Sequence, residues 1–225
     1  MCGRYATARS DADLTLLFEA DDVTDGFDPS WNVAPTDPVP VVRVSQRNAG
    51  RVLDRAKWGL VPSWADDQRA GSRMINARAE TVATSPAFAP SFARRRCLVP
   101  ADGWFEWVRD GKRKQPFYMT PEDGSVLAFA GLWSMWRGEV LTSAIITTAA
   151  VGALAGVHHR MPLILPADRW AEWLEGDSPS VSPMGADELG FLEIRPVGPD
   201  VGKVQNNGPQ LIERQLQEPK IPTLF

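Results

Sequence analysis

The chain is built from short apolar segments that are interrupted along its whole length by glycine, proline and other turn residues. Such spacing predicts a β-rich structure with many turns. Asp-Gly or Arg-Gly pairs at 110–111, 123–124 and 137–138 separate the later segments and indicate antiparallel strands there. The predicted strands cover residues 39–44, 52–58, 97–108, 116–119, 126–136 and 140–148.

Helical patterns are few and short. Ser10 stands before an acidic pair and the helical spacing of Leu14 and Phe18, which predicts a capped helix. Residues 91–96 are expected to close a second short helix. A third is expected over residues 166–174, where two tryptophans and a leucine share one face.

The segments between these elements give no sign of a second domain. Residues 31–40 are proline-rich and predict a loop, and residues 175–185 form the most linker-like stretch. That stretch lies too near the C-terminus to divide the chain into two domains. We therefore predict one α+β domain over residues 1–225, with a curved, barrel-like, mainly antiparallel β-sheet and a few short helices.

Composition narrows the class of protein. The 225 residues are 44% hydrophobic and 23% charged, as is ordinary for a soluble globular protein. No apolar run approaches the roughly 20 residues that a membrane-spanning helix needs. The first residues lack the basic and hydrophobic regions of a signal peptide, and two cysteines suit a reducing compartment. We expect a cytoplasmic protein with no membrane partner.

Charge and motif content exclude further classes. The net charge of −4 argues against a protein that coats nucleic acid through bulk charge, although it allows a local basic groove. A structural zinc site wants four Cys or His ligands at finger-like spacing, and the stock here is two cysteines and the adjacent pair His158–His159, which argues against such a site. The sequence contains no glycine-rich phosphate loop, dinucleotide fingerprint or serine-hydrolase elbow. We expect no metal and no nucleotide cofactor.

Cys2 is the most suggestive position for chemistry. Once Met1 is removed, Cys2 carries an amine and a thiol on adjacent carbon atoms, and such an aminothiol closes a thiazolidine ring on an aldehyde. The amine and the thiol have ordinary pKa values of about 8 and 8.5, so both reach reactive forms near neutral pH. The alternative is that a small residue is simply tolerated at this position.

Asn76 and Glu106 are candidates for supporting roles. Asn76 lies in a polar segment between apolar stretches, where its amide can orient an amine or thiol, or can merely cap a turn. Glu106 is flanked by Phe105 and Trp107, which favours desolvation, a raised pKa and a general acid–base role. The alternative is strand alternation that places Glu106 on the solvent face.

His158 and His159 are the only histidines of the chain, and neighbouring side chains of an extended segment point in opposite directions. We therefore expect one of them to be catalytic and the other exposed. Arg160 beside them suits an anionic substrate. Cys97 precedes an apolar stretch and is expected to lie in the core.

Seven motifs of the chain form an ordered set. They are MCGRY (1–5), WNVAPT (31–36), WGLVPSWA (58–65), INARAET (75–81), GWFEW (103–107), ITTAA (146–150) and HHRMPLIL (158–165). Together they closely resemble the SRAP family, the SOS-response-associated peptidases, which are understood as abasic-site processing proteins. The resemblance extends from Met1 to about Ile212 and leaves residues 213–225 as a tail.

The resemblance implies a function and a set of site residues. It implies binding of single-stranded DNA and capture of the ring-opened aldehyde of an abasic site as a reversible thiazolidine crosslink, which shields the site during the DNA damage response. By motif, Cys2 matches the crosslinking residue and Asn76 the residue that positions it. Glu106 matches the acid–base residue, and His158 the residue that assists sugar-ring opening and the reverse reaction. The implied DNA contacts are Arg4, Trp64, Arg78, Trp107 and Arg160.

The family name adds peptidase-type removal of Met1 by the protein itself, and we expect a monomer that joins the nucleoid when DNA is damaged. Two other hypotheses stay open. One is an N-terminal-nucleophile amidohydrolase or peptidase that uses the Cys2 thiol, with Asn76 supplying part of an oxyanion hole. The other is a non-catalytic binder of single strands in which Cys2 is incidental.

Overall fold

The computed structural model describes residues 2–45, 49–111 and 113–215, apart from the side chains of Asp110 and Arg113. Met1 and residues 216–225 of the expected tail lie outside this range. The strands are β1 (Tyr5–Thr7), β2 (Asp21–Asp22), β3 (Ser30–Val33), β4 (Pro38–Val44), β5 (Arg51–Trp58), β6 (Asn76–Arg78), β7 (Arg96–Ala101), β8 (Gly103–Asp110), β9 (Arg113–Pro121), β10 (Leu127–Trp136), β11 (Val140–Ala149), β12 (Arg160–Pro162) and β13 (Leu192–Pro196). The α-helices are α1 (Asp11–Phe18), α2 (Ala89–Arg94) and α3 (Trp170–Glu175), and 3-10 turns occupy Gln68–Arg73, Gly152–Gly156, Ala167–Arg169, Pro199–Gly202 and Pro209–Ile212.

Five strands close into a barrel in the order β11–β10–β7–β4–β5. Neighbours along this path are antiparallel. The ring is closed by parallel pairing of β5 with β11, in which Lys57 lies opposite Thr142 and Trp58 lies opposite Ser143. The short strands β6 and β12 also pair with β11. β11 is therefore the strand that joins the barrel to the segments around residues 76 and 160.

The barrel strands are apolar on both faces. Val99 and Phe129 belong to the cluster inside the barrel, whereas their neighbours Leu98 and Ala130 belong to an outer cluster that packs beneath α1 and α3. This division follows from the alternation of side chains along a strand. Because both faces of β10 are covered, its sequence is almost continuously hydrophobic, whereas β5 carries Arg51, Asp54, Arg55 and Lys57.

A second, antiparallel sheet has the order β13–β9–β8–β1–β3. β1 lies inside this sheet, with Tyr5 paired to Trp104 on one side and Val33 on the other. The ring of Tyr5 also packs edge-on against Trp58 of the barrel, with 5.1 Å between ring centroids. The beginning of the chain is thereby fixed where the second sheet meets the barrel.

The predicted fold class is confirmed, but the loop expected over residues 31–40 is wrong. β3 and β4 occupy most of that segment. A central strand donates N–H groups to its neighbours on both edges, and proline has no N–H to donate. At Pro38 and Pro40, β4 pairs with β5 on one edge, whereas its pairing with β7 on the other edge is confined to Val42 and Arg43. The two prolines are tolerated because no N–H is needed toward β7 at their positions.

Other element boundaries differ by small amounts. The apolar run 97–108 is divided at Asp102, where the chain leaves β7 of the barrel and enters β8 of the second sheet. The helix expected over 91–96 is α2, which ends earlier because Arg96 already begins β7. The predicted Ser10 cap is confirmed, since its hydroxyl accepts a hydrogen bond from the Asp13 N–H at 3.1 Å. Among the described helices the longest α-helix has eight residues, and no helix could span a membrane.

Candidate active site

Cys2 lies buried at the junction of the two sheets, three residues before β1 begins. Its side chain is fully inaccessible and belongs to the same apolar cluster as Tyr5 and Trp104. Burial raises the pKa of the Cys2 thiol well above its ordinary value, and the nearby charge of Glu106 raises it further. Cys2 is therefore held as a neutral thiol, and it needs a neighbouring base to become a thiolate.

Asn76 fixes the backbone of Cys2. β6 runs parallel to β11, with Asn76 opposite Ile145, and this pairing points the Asn76 amide at the start of the chain. Its Nδ2 donates a hydrogen bond of 2.7 Å to the Cys2 carbonyl oxygen. Its Oδ1 is buried and has no hydrogen-bond partner among the described residues. Asn76 therefore holds Cys2 with one end of its amide and keeps an acceptor open at the other.

Glu106 lies on the buried face of β8. Trp104 on this face belongs to the cluster inside the barrel, whereas Phe105 and Trp107 pack into a separate cluster on the opposite face. Glu106 is only 5% exposed, so the solvent-face alternative is wrong. Desolvation raises the pKa of its carboxyl group to about 7. Near neutral pH this residue can therefore both donate and accept a proton.

His158 faces Glu106 from the segment that leads into β12. Its Nδ1 lies 3.9 Å from Oε1 of Glu106, and the Arg160 N–H donates to the same Nδ1 at 2.9 Å. Burial lowers the pKa of His158 below its ordinary value. The same Nδ1 lies 3.1 Å from the Arg160 carbonyl oxygen, so it accepts from the N–H in one tautomer of the neutral ring and donates to the carbonyl in the other. Glu106, His158 and Arg160 line one narrow cleft with apolar neighbours such as Trp104.

The two histidines do not point in opposite directions. Their ring centroids lie 4.2 Å apart, with an angle of 31° between the planes. The expectation of opposite sides is wrong because the chain bends at His159 before β12 begins, so the alternation of an extended strand does not apply. His159 is exposed, as expected for one of the pair. Within the described residues, no three His, Cys, Asp or Glu side chains are grouped to hold a metal ion.

The residues expected to contact DNA form two sets and one residue that lies apart. Arg4 lies beside Trp107, with its guanidinium 5.9 Å from the ring centroid, on the face of β8 opposite Glu106. Its Nη1 donates to the Asn32 Oδ1 at 2.7 Å and to the Val201 carbonyl at 2.8 Å, so Arg4 is held in place.

Arg78 and Arg160 form the second set, at the edge of β11. Arg78 is exposed at the end of β6, and Arg160 begins β12 on the other side of β11. Trp64 stands apart from both sets, in the loop after β5, and is 64% exposed. An exposed indole of this kind offers a stacking face for an unpaired base.

Comparison with known proteins gives the family of this chain. The family profile described as SOS response associated peptidase (SRAP) matches residues 1–204. This chain belongs to the SRAP family. A relative from Bacillus subtilis named abasic site processing protein YoqW is 34% identical over 95% of this chain and 99% of its own length. The protein of the same description from Escherichia coli, YedK, is 34% identical over 95% of this chain and 99% of its own.

More distant relatives and solved structures extend this picture. Abasic site processing protein HMCES of Xenopus tropicalis is 30% identical over 83% of this chain and 66% of its own. A crystal structure of a Bacteroides thetaiotaomicron protein matches the SRAP chain with a TM-score of 0.82 over 96% of this chain and all of the other, at 24% identity. A Bordetella bronchiseptica protein matches with a TM-score of 0.72 over 88% of this chain, at 23% identity. These two likenesses support the fold.

The SRAP site contains one charged residue that sequence reasoning passed over. Glu80 lies two residues beyond the end of β6 and forms a bidentate ion pair with Arg160. It lies four residues after Asn76 in the motif INARAET, so its place in the same motif was the signal available. Nothing in the sequence indicated that its partner would come from residue 160, because that pairing depends on β6 and β12 flanking β11.

Proposed function

We propose that this protein binds single-stranded DNA at abasic sites and forms a reversible thiazolidine crosslink through Cys2, after Met1 has been removed. The relatives named as abasic site processing proteins support the target. The observation that carries the chemistry is the placement of Cys2 against Asn76 and near a buried Glu106, whose pKa of about 7 suits proton transfer at neutral pH. Arg4, Trp64, Arg78, Trp107 and Arg160 are the proposed DNA contacts.

The reaction has two bond-forming steps. The free α-amine of Cys2 attacks the C1 aldehyde carbon of the opened sugar, and loss of one water molecule leaves an imine. The Cys2 sulfur then adds to the imine carbon, and the thiol proton passes to the nitrogen. The product is a five-membered thiazolidine, and the sum of both steps is aldehyde plus aminothiol giving thiazolidine plus water.

Glu106 supplies the protons that these steps need. In its protonated form it donates to the hydroxyl that leaves as water, and as a carboxylate it accepts the proton of the thiol. A pKa near 7 keeps both forms populated at neutral pH, which is the condition for efficient general acid–base catalysis. The raised pKa of the Cys2 thiol makes this base necessary.

Asn76 and His158 act on the two reactants. Asn76 holds the Cys2 carbonyl and offers its open Oδ1 to the α-amine, so that the amine is oriented before the aldehyde arrives. His158 stands beside Glu106 as a neutral imidazole, and it assists the opening of the sugar ring and the reverse reaction. No step requires a metal or an organic cofactor.

The proposed complex depends on local positive charge on an acidic protein. Arginine contacts to backbone phosphates make the affinity fall with salt, even though the whole chain carries a net charge of −4. We further propose a monomer in the cytoplasm that associates with the nucleoid when DNA is damaged, and removal of Met1 by groups of the protein itself.

The test uses single-stranded oligonucleotides that carry or lack one abasic site. Protein that starts at Cys2 should give a band of lower mobility on a denaturing gel with the abasic strand alone. Cys2→Ala should abolish this band but keep non-covalent binding, whereas Cys97→Ala, which changes the other buried cysteine, should keep both. Hydrolysis of amide substrates without an adduct would favour the amidohydrolase, and binding without either activity would favour a simple single-strand binder.

A further inference from the structure

The carboxylate of Glu80 is paired with the guanidinium of Arg160. The Arg160 Nη1 lies 2.5 Å from the Glu80 Oε1, and Nη2 lies 3.0 Å from Oε2. The Glu80 side chain is 51% exposed, whereas that of Arg160 is only 13% exposed. Arg160 is thus the fixed member of the pair, and Glu80 is the member that can leave toward solvent.

The pairing with Glu80 leaves Arg160 few N–H donors for a ligand. An arginine side chain has five N–H groups. Glu80 accepts from one on each terminal nitrogen, and the Thr147 carbonyl accepts the second N–H of Nη2 at 2.5 Å. The Nε atom of Arg160 is buried without a partner in the described part of the chain. The Nε–H and one N–H of Nη1 therefore remain, but the Nε–H is buried. A ligand can reach a single donor, which is too few for the bidentate contact that arginine makes with phosphate.

The surrounding charges make Glu80 an anion at neutral pH. The hydrogen bond from Arg160 lowers the pKa of Glu80, and the charge of Arg78 lowers it as well. Arg78 and Arg160 are the two cations proposed to meet backbone phosphates along β11. A carboxylate between them has the charge and the two-oxygen geometry of the phosphate that each is proposed to bind.

We propose that Glu80 is an internal competitor of DNA phosphate, which holds Arg160 ready in the free protein and is displaced from it when the strand binds. The proposal rests on the proposed function. Displacement exchanges one ion pair for another, so Arg160 adds little net affinity for an undamaged strand. Retention on DNA is then decided by covalent capture of the aldehyde, and an intact single strand is released.

The test measures the affinity of the wild-type protein and of Glu80→Gln for a fluorescein-labelled single strand without an abasic site. Fluorescence anisotropy reports binding, and the titration is repeated over a series of salt concentrations. Gln keeps the size of the side chain and one acceptor for Nη1, so Arg160 stays in place. Glu175→Gln is the matched control, because it makes the same charge change at an exposed position of α3, which packs on β7 and β4.

We expect Glu80→Gln to bind about three- to tenfold more tightly near 0.1 M salt. The slope of log K against log salt should steepen by about 0.7, the value for one phosphate contact on a single strand. In the wild type the displaced Glu80 carboxylate takes up a cation that offsets the one released by this contact, whereas Gln takes up none. Glu175→Gln should match the wild type in both. Equal or weaker binding by Glu80→Gln, with no change in the slope, would show that Glu80 only supports Arg160 and would overturn the proposal. Failure of the folded wild type to bind any single strand would instead overturn the proposed function.

Discussion

Replacing Glu106 with Gln should make the protein more stable at alkaline pH while removing most of the proposed crosslinking activity. Gln has nearly the same shape as Glu but carries no charge. The buried position of Glu106 disfavours the carboxylate, and the variant removes that cost. A gain in stability together with a loss of activity is expected when a residue is retained for its chemistry at the expense of stability.

The size of the effect follows from the pKa of Glu106. Its rise from 4.5 to about 7 corresponds to about 3 kcal/mol of proton-binding free energy. Because the folded state holds this proton more tightly than the unfolded state, the stabilisation is complete below pH 4.5 and is lost as the pH rises through 7. The free energy of unfolding of the wild type should therefore fall relative to the variant by about 2.5 kcal/mol between pH 5 and 8.5.

Urea unfolding at pH 5, 7 and 8.5, followed by the fluorescence of the nine tryptophans, measures this difference. Glu193→Gln serves as a control of opposite sign. Hydrogen bonds from Arg195 lower the pKa of Glu193, so that its carboxylate stabilises the fold above pH 4.5 and the variant should lose stability.

The crosslinking rate of Glu106→Gln on an abasic strand should fall by about 10²-fold, the usual effect of losing a general acid–base group. A stability difference that does not change with pH would show that Glu106 is not desolvated. A rate equal to that of the wild type from pH 6 to 8 would remove it from the proton transfers.

Three further predictions concern the other site residues. Protein with an uncleaved N-terminal tag should bind abasic DNA but give no stable adduct, because the nitrogen of Cys2 is then a planar amide; a C-terminal tag should leave the adduct intact on the same gel. Asn76→Ala should lower the crosslinking rate about tenfold or more and change non-covalent binding little, since it frees the Cys2 backbone. His158→Ala should slow adduct reversal most at pH 7.5, where the neutral ring predominates, and progressively less in a pH series that descends through protonation of the ring; slowing that is equal across the series would contradict a role for the neutral ring.

Local sequence predicted much of the fold. The Ser10 cap, the strands of the barrel and the short helices follow from patterns within about ten residues, where capping and alternation act. The loop expected over residues 31–40 failed because the effect of a proline depends on which edge of its strand is paired, and that is decided by a distant strand.

The candidate site was accessible from sequence only in part. Motifs identified Cys2, Asn76, Glu106 and His158 as candidates, but the burial that raises the pKa of Glu106 depends on which face of β8 meets the barrel. Local context left that choice open. The bond between Glu80 and Arg160 was out of reach, because the two residues meet only through their positions beside β11.

The parallel closure of the barrel also sets the order in which the protein can become reactive. β5 pairs with β11 across more than eighty residues of chain, and β12 follows later still. Contacts this distant in sequence form slowly during folding. On a ribosome, Cys2 is made more than 150 residues before His158. The emerging cysteine is therefore an ordinary exposed thiol, and it gains its neighbours only when β11 seals the barrel.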